Sequence, residues 1–279
     1  MALAMLIFSV VDTGAKLLTE SFHAVQIVWF RQLGLLVGVL LFLPFGGLSI
    51  LKTAHPGLQI ARGALAVCSA TTFIIALTYV QLADAVAVSF VAPFMVTILG
   101  ATILGERVGI RRWTAVTIGF VGALIVIRPG FGVMHPAIFF VVAAALFFAL
   151  RQILSRYLAG GDRTITTVAY TAITASALLL IPLPFFWQTH ETASQIGLLA
   201  GVAILAATGE SLMIKALEVT QAVIIAPVQY LLLIFSTTWG YLVFGYLPDG
   251  WTWAGALVIV ATGIYTLSRE RRAAQPRDG

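Results

Sequence analysis

Five ionisable side chains lie inside long apolar stretches of this sequence: Asp12, Lys16, Arg31, Arg151 and Glu210. A charged group at the centre of a bilayer costs roughly 2.5–3.5 kcal/mol on insertion scales, so each of these needs a reason to be there. A carboxylate in such a place can bind a substrate ammonium group or a coupling proton, and a guanidinium group can bind a substrate carboxylate. The alternative is that they form ion pairs that fix the register of neighbouring helices. Asp12 and Lys16 are four residues apart with the acid first, which predicts such a pair.

Aromatic and amide side chains form a second candidate binding surface. Aromatic walls with a few polar groups suit an amphipathic metabolite. The candidates are Tyr79, Gln81, Phe90 and Phe94 in the first half of the chain, and Gln229, Tyr230 and Trp239 in the second. Packing between helices, or contact with lipid, is the alternative role for these side chains.

Pro93 and Pro227 are candidate hinges between these groups. A proline within a membrane span leaves a backbone carbonyl without its usual donor and permits bending. A static kink is the alternative. The two prolines do not stand at equivalent positions of the repeat described below.

The composition indicates that these groups lie in helices that span a membrane. The chain has 279 residues, of which 60% are hydrophobic and 10% charged, and its mean hydropathy is +1.02. A soluble domain is usually about 25% charged, and about 20 apolar residues in a helix cross a bilayer. The sequence therefore predicts an all-α integral membrane protein with ten transmembrane helices. Their predicted limits are 2–19, 24–44, 58–80, 84–104, 111–128, 134–157, 163–187, 194–217, 221–244 and 250–268.

The basic residues predict the orientation of the chain. With ten spans, thirteen of the sixteen Lys and Arg residues fall on the side that carries both termini. This bias predicts cytoplasmic termini, and it explains the isoelectric point of about 9.7 without a nucleic-acid partner. Asp12, Lys16 and Arg31 then lie towards the outside, while Arg151 and Glu210 lie at similar depth nearer the cytoplasm. Cys68 is the only cysteine, and nothing in the sequence predicts a metal or another cofactor.

A repeat with an offset of 140 residues divides the chain. It pairs Lys16 with Arg156, Pro44 with Pro184, Gln81 with Gln221, Gly105 with Gly245 and Trp113 with Trp253. The predicted units are residues 1–131 and 132–268, each with five spans, followed by a basic cytoplasmic tail, 269–279. Since five is odd, the second unit must enter the membrane inverted. The repeated glycine is expected to serve helix packing and the tryptophan the membrane interface.

Inverted repeats favour a transport pathway. Two such halves can exchange conformations, which opens a central site to each side in turn. Some inverted-repeat proteins are channels, so the repeat by itself does not establish active transport. Gly34 and Gly38 form a GxxxG pattern in span two. This pattern predicts close packing within the monomer, with the face of a weak homodimer as the alternative.

The segment ALTYVQLADAVAVSFVAPFMVTILGATILGERVGIRRW resembles the EamA family of the drug/metabolite transporter superfamily. The matching residues of span four are Ala83, Ala85, Pro93, Phe94, Gly100, Leu104, Gly105 and Glu106. The second copy departs from the pattern, with Tyr246 in place of the glutamate and Leu233 in place of the proline. The resemblance implies a bacterial inner-membrane (plasma-membrane) protein that exports amino acids, other metabolites or drugs.

We therefore expect a secondary transporter, not an enzyme, that exports neutral or aromatic amino acids or similar small metabolites by alternating access. Its partners would be a small-molecule substrate and the lipid bilayer, and proton coupling stays open. One alternative is a nucleotide-sugar or sugar-phosphate exchanger, which needs several deep cations; Arg31 and Arg151 are the two available in this reading. An intramembrane lipid-modifying enzyme is the alternative from another class, but the sequence has no HExxH motif and no paired intramembrane aspartates.

Overall fold

The computed structural model describes residues 1–105, 109–127, 135–158, 162–189, 192–219 and 226–274. These residues form twelve α-helices and two 3₁₀ turns, with no β-strand among them. The helices are α1 (Ala2–Leu18), α2 (Ala24–Gly46), α3 (Pro56–Tyr79), α4 (Leu82–Ser89), α5 (Ala92–Ile103), α6 (Ile110–Ile127), α7 (Ile138–Leu158), α8 (Thr164–Leu180), α9 (Leu183–Phe186), α10 (Ala193–Val219), α11 (Leu231–Phe244) and α12 (Gly250–Ala274). The 3₁₀ turns are Leu48–Leu51 and Ala226–Tyr230. Glu106 and the last part of the predicted tail, residues 275–279, lie outside the described residues.

The helices confirm the predicted all-α membrane architecture. Each predicted span contains one of these helices, or two in succession. Within the described ranges, five helical segments are long and apolar enough to cross a membrane. They are Ala24–Leu41, Pro56–Tyr79, Leu82–Ile103, Ile138–Leu158 and Ala193–Met213. Four shorter apolar helices accompany them: Trp113–Ile127, Thr164–Leu180, Val228–Phe244 and Gly250–Tyr265.

Spans four and nine each contain, among the described residues, a short stretch that is not α-helical, which we call an interruption. In span four, α4 ends at Ser89 and α5 begins at Ala92, with Pro93 in the first turn of α5. Proline is tolerated in a first turn because its missing N–H would have no intrahelical partner there. In span nine, the 3₁₀ turn that contains Pro227 leads into α11. The sequence offset of 140 residues relates Phe90, at the first interruption, to Tyr230, at the second.

The helix packing repeats itself between the two halves of the chain. Helix α3 packs on α7 and α8, and its repeat counterpart α10 packs on the corresponding helices α1 and α2. Helix α5 packs on α7, as α11 packs on α1. Two counterpart pairs also contact each other directly, α2 with α8 and α6 with α12, and α4 of span four packs on α11 of span nine. The core therefore lies between the two halves, where α1 packs on α10 and α11, and α7 packs on α3, α4 and α5.

The repeated glycines end helices, and the expectation that they serve packing is wrong. Gly105 and Gly245 have φ angles of 66° and 67°, in the left-handed region that glycine enters most easily. The Gly245 N–H donates to the Tyr241 carbonyl, which terminates α11. A Cβ atom on either glycine would meet nothing within 4 Å. Trp113 and Trp253 are 39% and 46% exposed, so their rings lie on the surface of the bundle.

Of the two glycines in the GxxxG pattern of α2, one serves close helix packing within the protomer. A Cβ at Gly34 would overlap the backbone carbonyl of Ala203, which shows that α2 and α10 approach closely at this point. A Cβ at Gly38, one turn later, would meet nothing within 4 Å. The crossing of α2 and α10 therefore depends on the first glycine and not on the second.

Candidate functional site

Asp12 pairs with Arg31 and not with Lys16. The Nη1 atom of Arg31 lies 3.4 Å from Oδ1 of Asp12, and the two side chains are 23% and 11% exposed. Lys16 extends along α1 to the end of α3, where its ammonium group donates to the carbonyls of Leu77 and Val80, each at 2.8 Å. The last carbonyls of a helix have no intrahelical donor and form the negative end of its dipole. These free carbonyl groups explain why the Lys16 ammonium binds the end of α3 and not the Asp12 carboxylate on its own helix.

Arg151 and Glu210 lie close enough to interact electrostatically, but they are not in direct contact. Arg151 on α7 and Glu210 on α10 are both half-buried, and their opposite charges interact favourably. The one ion pair formed between described residues is that of Asp12 with Arg31. The Nε atom of Arg151 is buried and has no hydrogen-bond partner among the described residues. Its guanidinium carbon lies 5.0 Å from the centre of the Phe148 ring.

Arg62, one of the thirteen basic residues counted on the predicted cytoplasmic side, joins this group. Its Nε atom donates to the Ser155 hydroxyl at 2.7 Å and its Nη1 atom to the Thr171 hydroxyl at 2.5 Å. Its charge interacts with those of Arg151 and Glu210. The central cluster, defined here as Asp12, Arg31, Arg62, Arg151 and Glu210, thus holds three guanidinium groups and two carboxylates.

The interruptions of spans four and nine meet through Phe90 and Tyr230. Their ring centres are 5.0 Å apart and their planes are inclined by 31°. Tyr230 is 8% exposed, and its hydroxyl fills the space beside Gly263 on α12, where a Cβ would overlap it. Phe90 and Tyr230 are counterparts in the repeat. Their contact therefore joins equivalent positions of the two halves.

The other aromatic and amide candidates do not gather at one site. Phe94 is 5% exposed and packs against Gly119 on α6, a packing role. Tyr79 is 58% exposed and stacks on His135 with ring centres 5.0 Å apart. Gln81 precedes α4 and Gln229 lies in the 3₁₀ turn, and both are half-buried.

A groove of about 780 Å³ between α2 and α10 lies apart from the central cluster. Its lining includes Phe30, Gly34, Gly38 and Trp187 and contains no ionisable side chain. A polar substrate needs a few placed polar groups for orientation. The central cluster provides charged groups for this purpose, whereas the polar side chains of the groove are the hydroxyls of Thr189 and Thr208. The cluster is therefore the better candidate for the site.

Sequence reasoning missed a contact between Asp84 and Tyr246. The Tyr246 hydroxyl donates to Oδ2 of Asp84 at 2.7 Å, and Asp84 is 4% exposed. Asp84 lies in the first turn of α4, and Tyr246 follows α11 in the other half of the chain. Two signals could have found this contact: Asp84 is an isolated carboxylate in a long uncharged stretch, and Tyr246 stands where the first repeat has Glu106.

Comparison with known proteins gives a family match over nearly the whole chain. Residues 1–128 and 135–269 each match the model of the EamA-like transporter family. The chain is 27% identical over 274 residues to the S-adenosylmethionine uptake transporter of Rickettsia prowazekii, which covers 97% of this chain and 92% of that protein. It is 28% identical over 276 residues to the pseudopaline exporter CntI of Pseudomonas aeruginosa, with 97% and 95% covered.

Two further matches extend the comparison. A riboflavin transporter of Vibrio cholerae is 30% identical over 230 residues, which is 80% of this chain and 77% of that transporter. A solved crystal structure matches the fold with a TM-score of 0.61 and 19% identity, and covers 98% of this chain and 99% of its own. The named relatives are all transporters, and their names include both uptake and export.

Proposed function

Because this chain belongs to the EamA-like transporter family, it is a membrane transporter of a small molecule, and we propose that its substrate carries an amino-acid head group. In this proposal the central cluster binds that group, Arg151 binds the α-carboxylate and Glu210 binds the α-ammonium. Export of neutral or aromatic amino acids, as the sequence predicts, is the first reaction to test.

The unpartnered Nε atom of Arg151 carries the proposal. Arg31 is occupied by Asp12, and Arg62 donates to two hydroxyl groups. Arg151 keeps a buried Nε atom without a partner among the described residues, and a buried donor of this kind costs roughly 1–3 kcal/mol. A substrate carboxylate would satisfy it and would also balance the excess positive charge of the cluster.

Glu210 supplies the second half of an amino-acid site. It interacts electrostatically with Arg151 without a direct ion pair between them, and in this proposal the substrate head group bridges the two opposite charges. The ring of Phe148 stands beside Arg151 and offers an apolar surface for a substrate side chain. The methionine part of S-adenosylmethionine has the same ammonium and carboxylate groups, and a relative is named for its uptake.

Counterflow into liposomes tests the proposal. Purified protein would be reconstituted in vesicles loaded with neutral, aromatic or charged amino acids, or with sugar phosphates, and uptake of the labelled substrate would be followed. We expect saturable exchange of amino acids, loss of exchange in Arg151→Gln and Glu210→Gln, and normal exchange in the exposed control Lys52→Gln. Exchange of sugar phosphates alone would contradict the proposed head group and favour the phosphate-exchanger alternative.

The same vesicles test proton coupling. A carboxylate that binds an ammonium group in one half of the cycle can bind a proton in the other. If Glu210 does so, an imposed pH gradient drives net accumulation in wild type but not in Glu210→Gln. If the pH gradient has no effect on substrate accumulation, transport is facilitated and not proton-coupled.

A further inference from the structure

Two hydroxyl groups of the second repeat hold the guanidinium group of Arg62 in place. Its Nε atom donates to the Ser155 hydroxyl on α7 at 2.7 Å, and its Nη1 atom donates to the Thr171 hydroxyl on α8 at 2.5 Å. The Ser155 hydroxyl donates in turn to the backbone carbonyl of Arg151, and the Thr171 hydroxyl donates to that of Thr167. Both hydroxyl oxygens therefore present a lone pair to Arg62 and fix the position of its charge.

The charge of Arg62 has no carboxylate in direct contact with it among the described residues. The ion pair formed there joins Asp12 to Arg31, and the two hydrogen-bond partners of Arg62 are neutral. These two bonds use only part of the N–H groups of the guanidinium. The Arg62 charge is attracted by Glu210 and repelled by Arg151. Two guanidinium groups that repel each other within a bilayer are costly, and an anionic ligand would relieve that cost.

The central cluster has one positive charge in excess, because it holds three guanidinium groups and two carboxylates. A neutral amino acid does not remove this excess, since its α-carboxylate and its α-ammonium group cancel each other. An amino acid with a second acidic group carries one net negative charge, and it makes the loaded cluster neutral. An uncompensated charge in a low-dielectric site is unfavourable, so the charge balance favours the acidic substrate.

We propose that Arg62 determines substrate specificity by binding a second acidic group, carried on the side chain of the substrate. The preferred substrates are then amino acids with an acidic side chain, and neutral amino acids bind to the same site more weakly. This inference rests on the proposed function, in which Arg151 and Glu210 bind the α-carboxylate and the α-ammonium group. It adds the charge of the substrate side chain.

The positions of the three residues suit three different groups of one substrate. Arg62 lies on α3, Arg151 on α7 and Glu210 on α10. Ser155 lies one turn after Arg151 on α7, so its hydrogen bond with Arg62 brings the Arg62 guanidinium to the turn that follows Arg151. A helical turn rises about 5.4 Å. A short acidic side chain, as in aspartate or glutamate, spans a comparable distance from the α-carboxylate.

Matched pairs of acid and amide test the inference on the full-length protein in liposomes. Counterflow would be measured with glutamate and glutamine, and with aspartate and asparagine. The two members of each pair have nearly the same size and differ in the charge of one side-chain group. In wild type, the apparent KM for the acid should be lower than that for the amide by about tenfold or more, as expected for one charged hydrogen-bonded contact.

Variants of Arg62 and of the hydroxyl groups that hold it identify the residue responsible. Arg62→Gln should bring the ratio of the two KM values close to one, because the charge is lost. Arg62→Lys keeps the charge but not the planar fork; it should retain part of the preference, and it keeps the test valid if Arg62→Gln does not fold. Ser155→Ala and Thr171→Val should reduce the preference by a smaller factor. The exposed control Lys52→Gln should match wild type.

Failure of this inference can be distinguished from failure of the proposed function. Equal KM values for acid and amide in wild type, or a preference for the acid that survives in Arg62→Gln, would overturn the inference alone. The protein would then still exchange amino acids through their head group. If no amino acid is exchanged, the proposed function is wrong, and the role of Arg62 in substrate choice is wrong with it.

Discussion

Replacement of Gly263 by alanine should push Tyr230 out of its place between the two interrupted spans. A Cβ at Gly263 would overlap the Tyr230 hydroxyl oxygen and would lie 2.6 Å from Cζ of its ring. Tyr230 cannot turn away easily, because it is 8% exposed and packs against Phe90. Overpacking of this kind costs about 1–3 kcal/mol.

Gly38→Ala is the matched control. It gives the same gain in helix propensity, up to about 1 kcal/mol, but its new methyl group meets nothing within 4 Å. We therefore expect the Tm of Gly263→Ala in detergent to fall below that of Gly38→Ala by about 5 °C, since 1 kcal/mol moves the Tm of a large domain by about 2–4 °C. The Tm would be followed by size-exclusion chromatography after heating.

A second substitution tests the cause. Tyr230→Phe removes the overlapping oxygen but leaves Cζ in place, so it should restore part of the stability lost in Gly263→Ala. The double variant should therefore be more stable than the sum of the single effects predicts. Equal Tm values for Gly263→Ala and Gly38→Ala, or strict additivity with Tyr230→Phe, would refute this reasoning.

Three further predictions concern stability. Asp12→Asn should destabilise the protein by roughly 2 kcal/mol, because it leaves the Arg31 charge without its partner; a Tm equal to that of wild type would contradict this. Gly105→Ala and Gly245→Ala should each destabilise the protein by about 1–2 kcal/mol, because alanine is strained in their left-handed backbone conformation. Unchanged Tm values would show that this conformation is not why glycine stands at these positions. Hydrogen bonds from the hydroxyl of Thr53 and the amide of Gln59 lower the pKa of Asp162. Its contribution to stability should then be present above the ordinary pKa of an aspartate, about 3.9, and be lost as pH falls towards the lowered value. Asp162→Asn should abolish that part of the pH dependence of Tm.

Hydropathy predicted the spans because a bilayer leaves few alternatives for the backbone. An uncharged stretch of this length must form a helix to satisfy its own amide groups, and residues 58–80 became α3 accordingly. Breaks within spans were harder to place. Pro93 marked the break in span four, but the equivalent interruption at Tyr230 depends on packing against Phe90 and Gly263, which no local pattern reveals.

Side-chain partners could not be predicted from spacing along one helix. The i,i+4 rule paired Asp12 with Lys16, but the exposed carbonyl end of α3 and the guanidinium of Arg31 compete for these groups in three dimensions. Arg62 was counted with the basic residues of the predicted cytoplasmic side. Helix α3 begins at Pro56, however, so Arg62 lies about 9 Å along its axis and reaches the central cluster. The role of Gly105 was also wrong in the sequence analysis, because a glycine needed for its φ angle looks the same in sequence as one needed for packing.

The most direct test of the proposed site is a cycle that changes protein and ligand together. Counterflow by wild type and Arg151→Gln would be inhibited with an amino acid, with its carboxamide and with the amine that lacks the carboxyl group. If Arg151 binds the carboxylate, wild type should prefer the acid to the carboxamide by roughly tenfold or more, as expected for a charged hydrogen bond. Arg151→Gln should bind both about equally. A preference for the acid that survives in Arg151→Gln would contradict the account and place the carboxylate elsewhere.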